Sequence, residues 1–468
     1  MKYVSTRGSA PVLGFGDVLL AGLADDGGLY LPESWPELPP LSDLRGRTYA
    51  EIATAVMWPF VEGEIPRNVF DRIVQDSYAT FDTPEVCPLV PLGATASGAE
   101  LWLLELFRGP TLAFKDVALQ LVGRLFDHVL TERGERVCIL GATSGDTGSA
   151  AIEAVRDRAH VDIFMLFPDG RVSDVQRRQM STVPAENVHA IAVEGTFDDC
   201  QDLVKAAFAD AEFRREVRLS AVNSINWARV MAQIVYYVTA HLQVAPDGGP
   251  VTFCVPTGNF GNILAGWAAK RMGLPIDRLV VASNRNDILT RFFTTGTMEI
   301  RGVVPTSSPS MDIQVSSNLE RLLFETLDRD GAAVAELMSR FRADGTVSVE
   351  IEVLDRLRLE FDAASIDDES AAAVIRSVHG RTAMLLDPHT AIAVGIAEHL
   401  GGDPSVPVVT LATAHPAKFP DAVEAAIGVR PPLPPHLADL FDREERIERA
   451  PNDLTAVETL VRDELRSA

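Results

Sequence analysis

A chain of 468 residues has room for about three domains and a large core. With 47% hydrophobic and 23% charged residues it has the balance of an ordinary globular protein. Its 42 lysines and arginines against 66 aspartates and glutamates leave a net charge of −24, which argues against non-specific binding to nucleic acid or an anionic membrane surface.

An anionic small ligand remains admissible, captured by local donors, so cationic residues inside a pocket become informative. Cys87, Cys138, Cys200 and Cys254 show no C-x-x-C pair and no zinc spacing, and the nine histidines include no H-E-x-x-H, so no metal site is expected. Met1 to Arg7 lacks the apolar core of a signal peptide, and no apolar run reaches the ~18 residues of a membrane span, so the expected compartment is the cytoplasm. Nothing in the sequence requires more than a monomer.

Residues 1 to about 95 mix short helical stripes with breaks such as Asp25-Asp26-Gly27-Gly28 and read as a mainly helical N-terminal unit. From about residue 100 the texture is α/β. Runs at Leu101–Phe107, Arg136–Leu140, Val161–Phe167, Val188–Val193, Val251–Val255, Leu279–Ala282 and Val408–Ala412 alternate with amphipathic helices, including those starting at Ser149, Phe197, near Asn226 and at Asn262. That alternation predicts βαβ units and a mostly parallel sheet covered on both faces. Charged helices over about 284–385 read as an insertion, and Pro431 to Pro435 as a stiff spacer before a C-terminal helix.

The first strand leads into Gly109-Pro110-Thr111-Leu112-Ala113-Phe114-Lys115-Asp116, a tight turn that opens a helix. Phe114, Val117, Ala118, Leu121, Val122 and Leu125 make one apolar stripe, and the i+4, i+7 and i+11 neighbours of Lys115 are Leu119, Val122 and Phe126. The amine therefore points toward packed apolar surface. Desolvation and the positive helix N-terminus both favour its neutral, nucleophilic form, as Schiff-base chemistry requires. A lysine that snorkels back to water is the bland alternative.

Two further strand-to-helix turns are rich in glycine. They are Gly141-Ala142-Thr143-Ser144-Gly145-Asp146-Thr147-Gly148 and Pro256-Thr257-Gly258-Asn259-Phe260-Gly261-Asn262. Each is a possible anion cradle at a helix N-terminus, and neither matches a dinucleotide fingerprint or a Walker A loop. A third turn places Thr413, His415 and Lys418 after the strand at 408–412.

The lysine turn, Thr143 to Gly148, Asn223 to Arg229, Thr257 to Asn262, Ser308 to Ile313 and Leu411 to His415 occur in this order over nearly the whole chain, which resembles the threonine synthase family. The resemblance implies a fold type II pyridoxal-phosphate enzyme. It would have a large cofactor-binding α/β domain at 96–135 and 250–430, a small α/β substrate domain at 136–249, and a C-terminal spacer and helix at 431–468. It also implies a lyase of threonine biosynthesis, converting O-phospho-L-homoserine and water to L-threonine and inorganic phosphate by γ-elimination and β-addition of water. Lys115 would bond to pyridoxal 5′-phosphate and shuttle protons. Gly258, Asn259, Phe260, Gly261 and Asn262 would hold the cofactor phosphate, and Thr413 would face the pyridine nitrogen. Thr143, Ser144, Gly145, Asp146 and Thr147 would bind the substrate carboxylate. Arg229 and Lys418, with Asn226, Ser308 and Ser310 as neutral donors, would hold the substrate phosphate. A serine/threonine dehydratase of the same fold and a non-catalytic metabolite-binding relative are the competing readings.

Overall fold

Val251–Pro256 and Val161–Pro168 are strands in which every residue is buried, the signature of parallel sheets covered on both faces. Each is central to one sheet of the computed structural model, which describes residues 1–221 and 224–466. The large sheet has six strands in the order Phe361–Ser365, Ile276–Ser283, Val251–Pro256, Val408–Ala412, Glu100–Glu105 and Leu89–Ala94. All neighbours are parallel except the last pair. Its register sets Cys254 between Val280 and Thr410, and Thr410 beside Leu103. The small sheet has five parallel strands, in the order Glu448–Ala450, Val188–Val193, Val161–Pro168, Val137–Ala142 and Leu219–Ser220.

Two long helices join the sheets. Lys115–Arg133 carries the chain from the large sheet to the small one, and Trp227–Val244 carries it back. They pack against each other. Trp227 through His241 is buried without a break, because this helix runs through the middle of the molecule and has no solvent face to keep polar. The helices Tyr49–Val61 and Arg67–Tyr78 close the N-terminal side. The first begins in a capping box, with Glu51 N donating to Thr48 Oγ1 at 3.3 Å and Thr48 N donating to the Glu51 carboxylate at 2.8 Å. Phe60 then packs on Trp227 with ring centroids 5.6 Å apart.

Three expected boundaries need correction. The N-terminal unit does not extend to about residue 95, since Leu89–Ala94 is already the antiparallel edge of the large sheet. The insertion at about 284–385 is not purely helical, because Phe361–Ser365 adds a parallel edge strand beside Ile276–Ser283. The segment beyond residue 430 is more than spacer and helix. Glu448–Ala450 pairs with Val188–Val193, and Leu454–Glu464 packs on Phe197–Ala209, so this segment completes the small sheet. Phe-Asp-Ala-Ala-Ser and Glu-Arg-Ala carry little β signal, and both lie at sheet edges, where charged and short strands are usual.

Candidate active site

The lysine turn is held by a carboxylate inside it. Asp116 is buried and accepts hydrogen bonds from Thr111 N at 2.8 Å and Thr111 Oγ1 at 2.6 Å. A Cβ on Gly109 would lie 2.4 Å from the Asp116 Cβ, so only glycine fits there. Burial pushes the Asp116 carboxyl up to about 6, against the bonds from Thr111 and the charge of Lys418. The turn is also stitched to the exit of Val408–Ala412, with Phe114 N donating to Thr413 O at 2.9 Å and His415 N to Leu112 O at 3.0 Å. Lys115 and Thr413 therefore share one rim. Lys115 is the first residue of its helix and is buried, with Nζ 4.9 Å from the centre of the Phe114 ring. Burial lowers its pKa, opposed by Asp146 and reinforced by Lys418 and Arg229.

The loop at 141–148 brings a charge that periodicity gives no means of orienting. Asp146 begins the helix Asp146–Val155 and is buried. Its Oδ2 lies 3.2 Å from Lys115 Nζ and accepts from Ser310 Oγ at 3.3 Å. Its Oδ1 lies 2.9 Å from Lys418 Nζ and accepts from Gln176 Nε2 at 2.9 Å. Burial alone would raise its pKa, but the two lysines and the hydrogen bonds outweigh it and hold the carboxyl well below the usual range. The Asp146 side chain, an anion shared by two lysines, cannot bind a substrate carboxylate, so at this position the expected cradle is left with the backbone N–H alone. Thr143 Oγ1 shapes the loop, accepting from Gly145 N and Gly148 N at 2.9 Å each. Ser144 is half-buried in the same turn, and Thr147 reaches the cavity wall.

The loop Gly258 to Asn262 lines the same cavity as Thr147, together with Lys115, Arg229, Ser310, His389 and Thr413. Phe260 adopts the left-handed region at φ 62° just ahead of the helix Gly261–Arg271. A Cβ on Gly258 would lie 2.9 Å from Ser310 O, so the loop presses directly on the 308–318 segment. Asn259 O accepts from Asn318 N at 3.1 Å and from Asn318 Nδ2 at 2.9 Å. Asn262 Oδ1 accepts from Tyr236 OH at 2.5 Å and Tyr237 OH at 3.0 Å, which fixes the amide and leaves Nδ2 buried with no partner among the described residues. Arg229, in the first turn of Trp227–Val244, is buried, and its Nη1 also has no partner among the described residues. Burial pushes that guanidinium down to about 10, with Tyr236 opposing. Two orphaned donors thus flank one cavity, a costly arrangement that an anion would relieve.

Three expected site residues lie elsewhere. Asn226 caps the helix Trp227–Val244, accepting from Ala228 N at 3.0 Å and donating Nδ2 to Leu19 O at 2.8 Å. Ser308 is fully buried beneath Asn284, whose Nδ2 donates to its Oγ at 2.9 Å, and it shapes the 306–312 loop. Lys418 has no exposed surface and lies behind Asp146. Asn223, part of the motif that ends in Arg229, falls outside the described residues.

Sequence reasoning missed His389 and Asp387. His389 Nδ1 lies 2.8 Å from Asp387 Oδ1, and Nε2 accepts from Ser310 N at 3.2 Å. With Nε2 accepting, the proton sits on Nδ1 and is donated to Asp387. The available signal was the helix start Asp387-Pro388-His389-Thr390, in which Asp387 also accepts from His389 N at 2.9 Å.

Comparison with known proteins agrees across the whole chain. Residues 2–78 match the family model for the threonine synthase N terminus, 82–340 the model for pyridoxal-phosphate dependent enzymes, and 390–461 the model for the threonine synthase C-terminal region. The threonine synthase of Pseudomonas aeruginosa is 55% identical over 464 residues, covering 98% of each chain. The crystal structure of PLP-bound threonine synthase from Brucella melitensis superposes with a TM-score of 0.96 at 55% identity, covering 100% of each chain. The yeast threonine synthase structure gives 0.94 at 39% identity, covering 99% of this chain and 98% of that one.

Proposed function

The chain belongs to the threonine synthase family of pyridoxal-phosphate-dependent lyases, and on that premise we propose that it converts O-phospho-L-homoserine and water to L-threonine and inorganic phosphate. The observation that carries this reading is the pair of orphaned buried donors, Asn262 Nδ2 and Arg229 Nη1, on the cavity that also holds Lys115. One phosphate belongs to the cofactor and one to the substrate, and each donor answers one of them.

The cofactor, when bound, supplies an aldehyde that takes up amines and a ring that draws electrons from the carbon attached to them. Gly258 to Asn262 fit its phosphate, with a helix N-terminus, a glycine against which the neighbouring chain closes, and a free amide donor. Thr413 would offer the ring nitrogen a neutral hydroxyl. Lys115, whose pKa is lowered by burial, would be the cofactor's amine, and its Nζ would take the proton from the substrate α-carbon. The backbone at Thr143 to Thr147, at the start of the helix Asp146–Val155, receives the substrate carboxylate. Arg229 pairs with the substrate phosphate, and Ser310, held by His389, closes the wall beside it. No helix among the described residues is long and apolar enough to cross a membrane, and the proposed setting is a cytoplasmic monomer.

Labelled water tests the chemistry. In H2(18)O the threonine hydroxyl should carry the label and the released phosphate should not, because carbon–oxygen bonds are the ones that break and form. Homoserine with labelled phosphate would mean a phosphatase and would defeat the reading. The cofactor cradle has its own test. Asn262→Asp keeps the one oxygen that accepts from both Tyr236 and Tyr237 but turns the neutral amide with its free donor into an anion. Its affinity for pyridoxal phosphate should fall by about 100-fold or more, measured by titrating the apoenzyme.

A further inference from the structure

Lys418 is a fully buried charge for which the reaction above has no task. Its Nζ donates to Thr111 O at 2.8 Å, lies 2.9 Å from Asp146 Oδ1 and approaches Ser149 Oγ at 3.5 Å. These partners join the turn that delivers Lys115 to the first turn of the helix Asp146–Val155. Lys115 Nζ sits 3.2 Å from the other oxygen of the same carboxylate. Asp146 is therefore divided between two buried lysines, one oxygen to each.

That division decides which amine carries charge. A lone carboxylate at this distance inside a protein would hold Lys115 as an ammonium, whereas bonding to an aldehyde and taking up a proton both need the free amine. One carboxylate cannot neutralise two ammonium groups, so the lysine with fewer acceptors gives up its proton at lower cost. Lys418 has Asp146, Thr111 O and Ser149 Oγ around it, while Lys115 has Asp146 and the face of Phe114. The other ionisable groups around Lys115 are Arg229 and His389 on the cavity wall and Asp116 behind the turn, bonded to Thr111. Arg229 adds a second positive charge that opposes protonation. The lowered pKa of Lys115, caused first by burial and then further by Lys418 and Arg229, agrees with this assignment.

We propose that Lys418 is a positioning residue that claims the Asp146 carboxylate and so leaves Lys115 uncharged at the working pH. This rests on reading Lys115 as the cofactor lysine.

The test is a pH titration of the visible absorbance of the holoenzyme. Lys418→Met removes a nearby cation and returns Asp146 to Lys115 alone, so the titration should move up by about 1–3 pH units. Asp146→Asn removes the anion and should move it down. A packing role for Lys418 would alter stability without producing opposite signs. The double variant removes the Asp146–Lys418 ion pair whole, leaving neither member unpaired, which favours folding even where Lys418→Met alone fails. It should titrate above Asp146→Asn. In the apoenzyme, acylation of Lys115 by acetic anhydride, followed by mass spectrometry, should show the same order. A Lys418→Met titration superimposable on wild type, or moved in the direction of Asp146→Asn, would overturn the proposal, as would a double variant that titrates with Asp146→Asn. Borohydride trapping separates the two readings. Cofactor fixed at Lys115 with an unmoved titration defeats this proposal alone, and cofactor fixed elsewhere defeats the reading of Lys115 as well.

Discussion

Lys115→Ala is expected to abolish the visible band of the bound cofactor and to lower turnover by at least about 10³-fold, since in the proposed reading one side chain would both bond the cofactor and move the proton. The loss should come without unfolding. Alanine is a good helix former at the first position of Lys115–Arg133, and the substitution removes a buried amine that burial already disfavours as an ion. Asp146 keeps Lys418 at 2.9 Å and Gln176 at 2.9 Å, so no buried charge is left alone. Thermal melting of the apoenzyme should therefore change little while absorbance and turnover collapse. A variant that kept the band would place the covalent attachment on another residue.

Arg229→Met should separate stability from function in the opposite way to most core substitutions. Arg229 as a residue is 4% exposed and its Nη1 has no partner among the described residues, so in the ligand-free protein its charge is a burden. Burial lowers its pKa to about 10. A cation with a depressed folded pKa costs stability wherever the unfolded chain would be protonated, here across neutral pH, by something on the order of 3 kcal/mol. Methionine fills much of the same volume without the charge, and the apoenzyme should melt at the same temperature or higher. Substrate recognition should suffer instead. Losing a desolvated partner of a phosphate costs about 2–5 kcal/mol, so kcat/KM should fall by roughly 30- to 3,000-fold. With the cofactor bound and its own phosphate cradle filled, inorganic phosphate should stabilise wild type in a melting assay and leave Arg229→Met unmoved. A variant of lower apo stability and unchanged kcat/KM would show that Arg229 serves packing alone.

What could be read from the sequence was local. The stripe Phe114, Val117, Ala118, Leu121, Val122 and Leu125 faces the core, and the same periodicity aims Lys115 at buried surface. The glycine turns after Leu140 and Val255, and Thr413 after Ala412, stand at C-terminal strand ends because parallel strands must be followed by helices on that side. What escaped depends on pairs distant in sequence. Asp146 meets Lys115 across 31 residues, and no periodicity records which lysine a carboxylate will find. The residue type of Lys418 suits a phosphate ligand, yet the anion it meets is Asp146. Asn226 and Ser308 belong to motifs that point to the site, although their side chains are used up in capping a helix and shaping a loop. His389 lay hidden in a helix start whose first function is capping, and only the fold turns its ring toward Ser310.

In the proposed reading a cofactor-bearing lysine and a substrate-phosphate arginine share one cavity, and the products of the wild-type holoenzyme test that reading most directly. O-phospho-L-homoserine should give L-threonine and inorganic phosphate in equal amounts. Phosphate accompanied by homoserine, or 2-oxobutyrate formed from threonine with no phosphate released from the phosphorylated substrate, would contradict it.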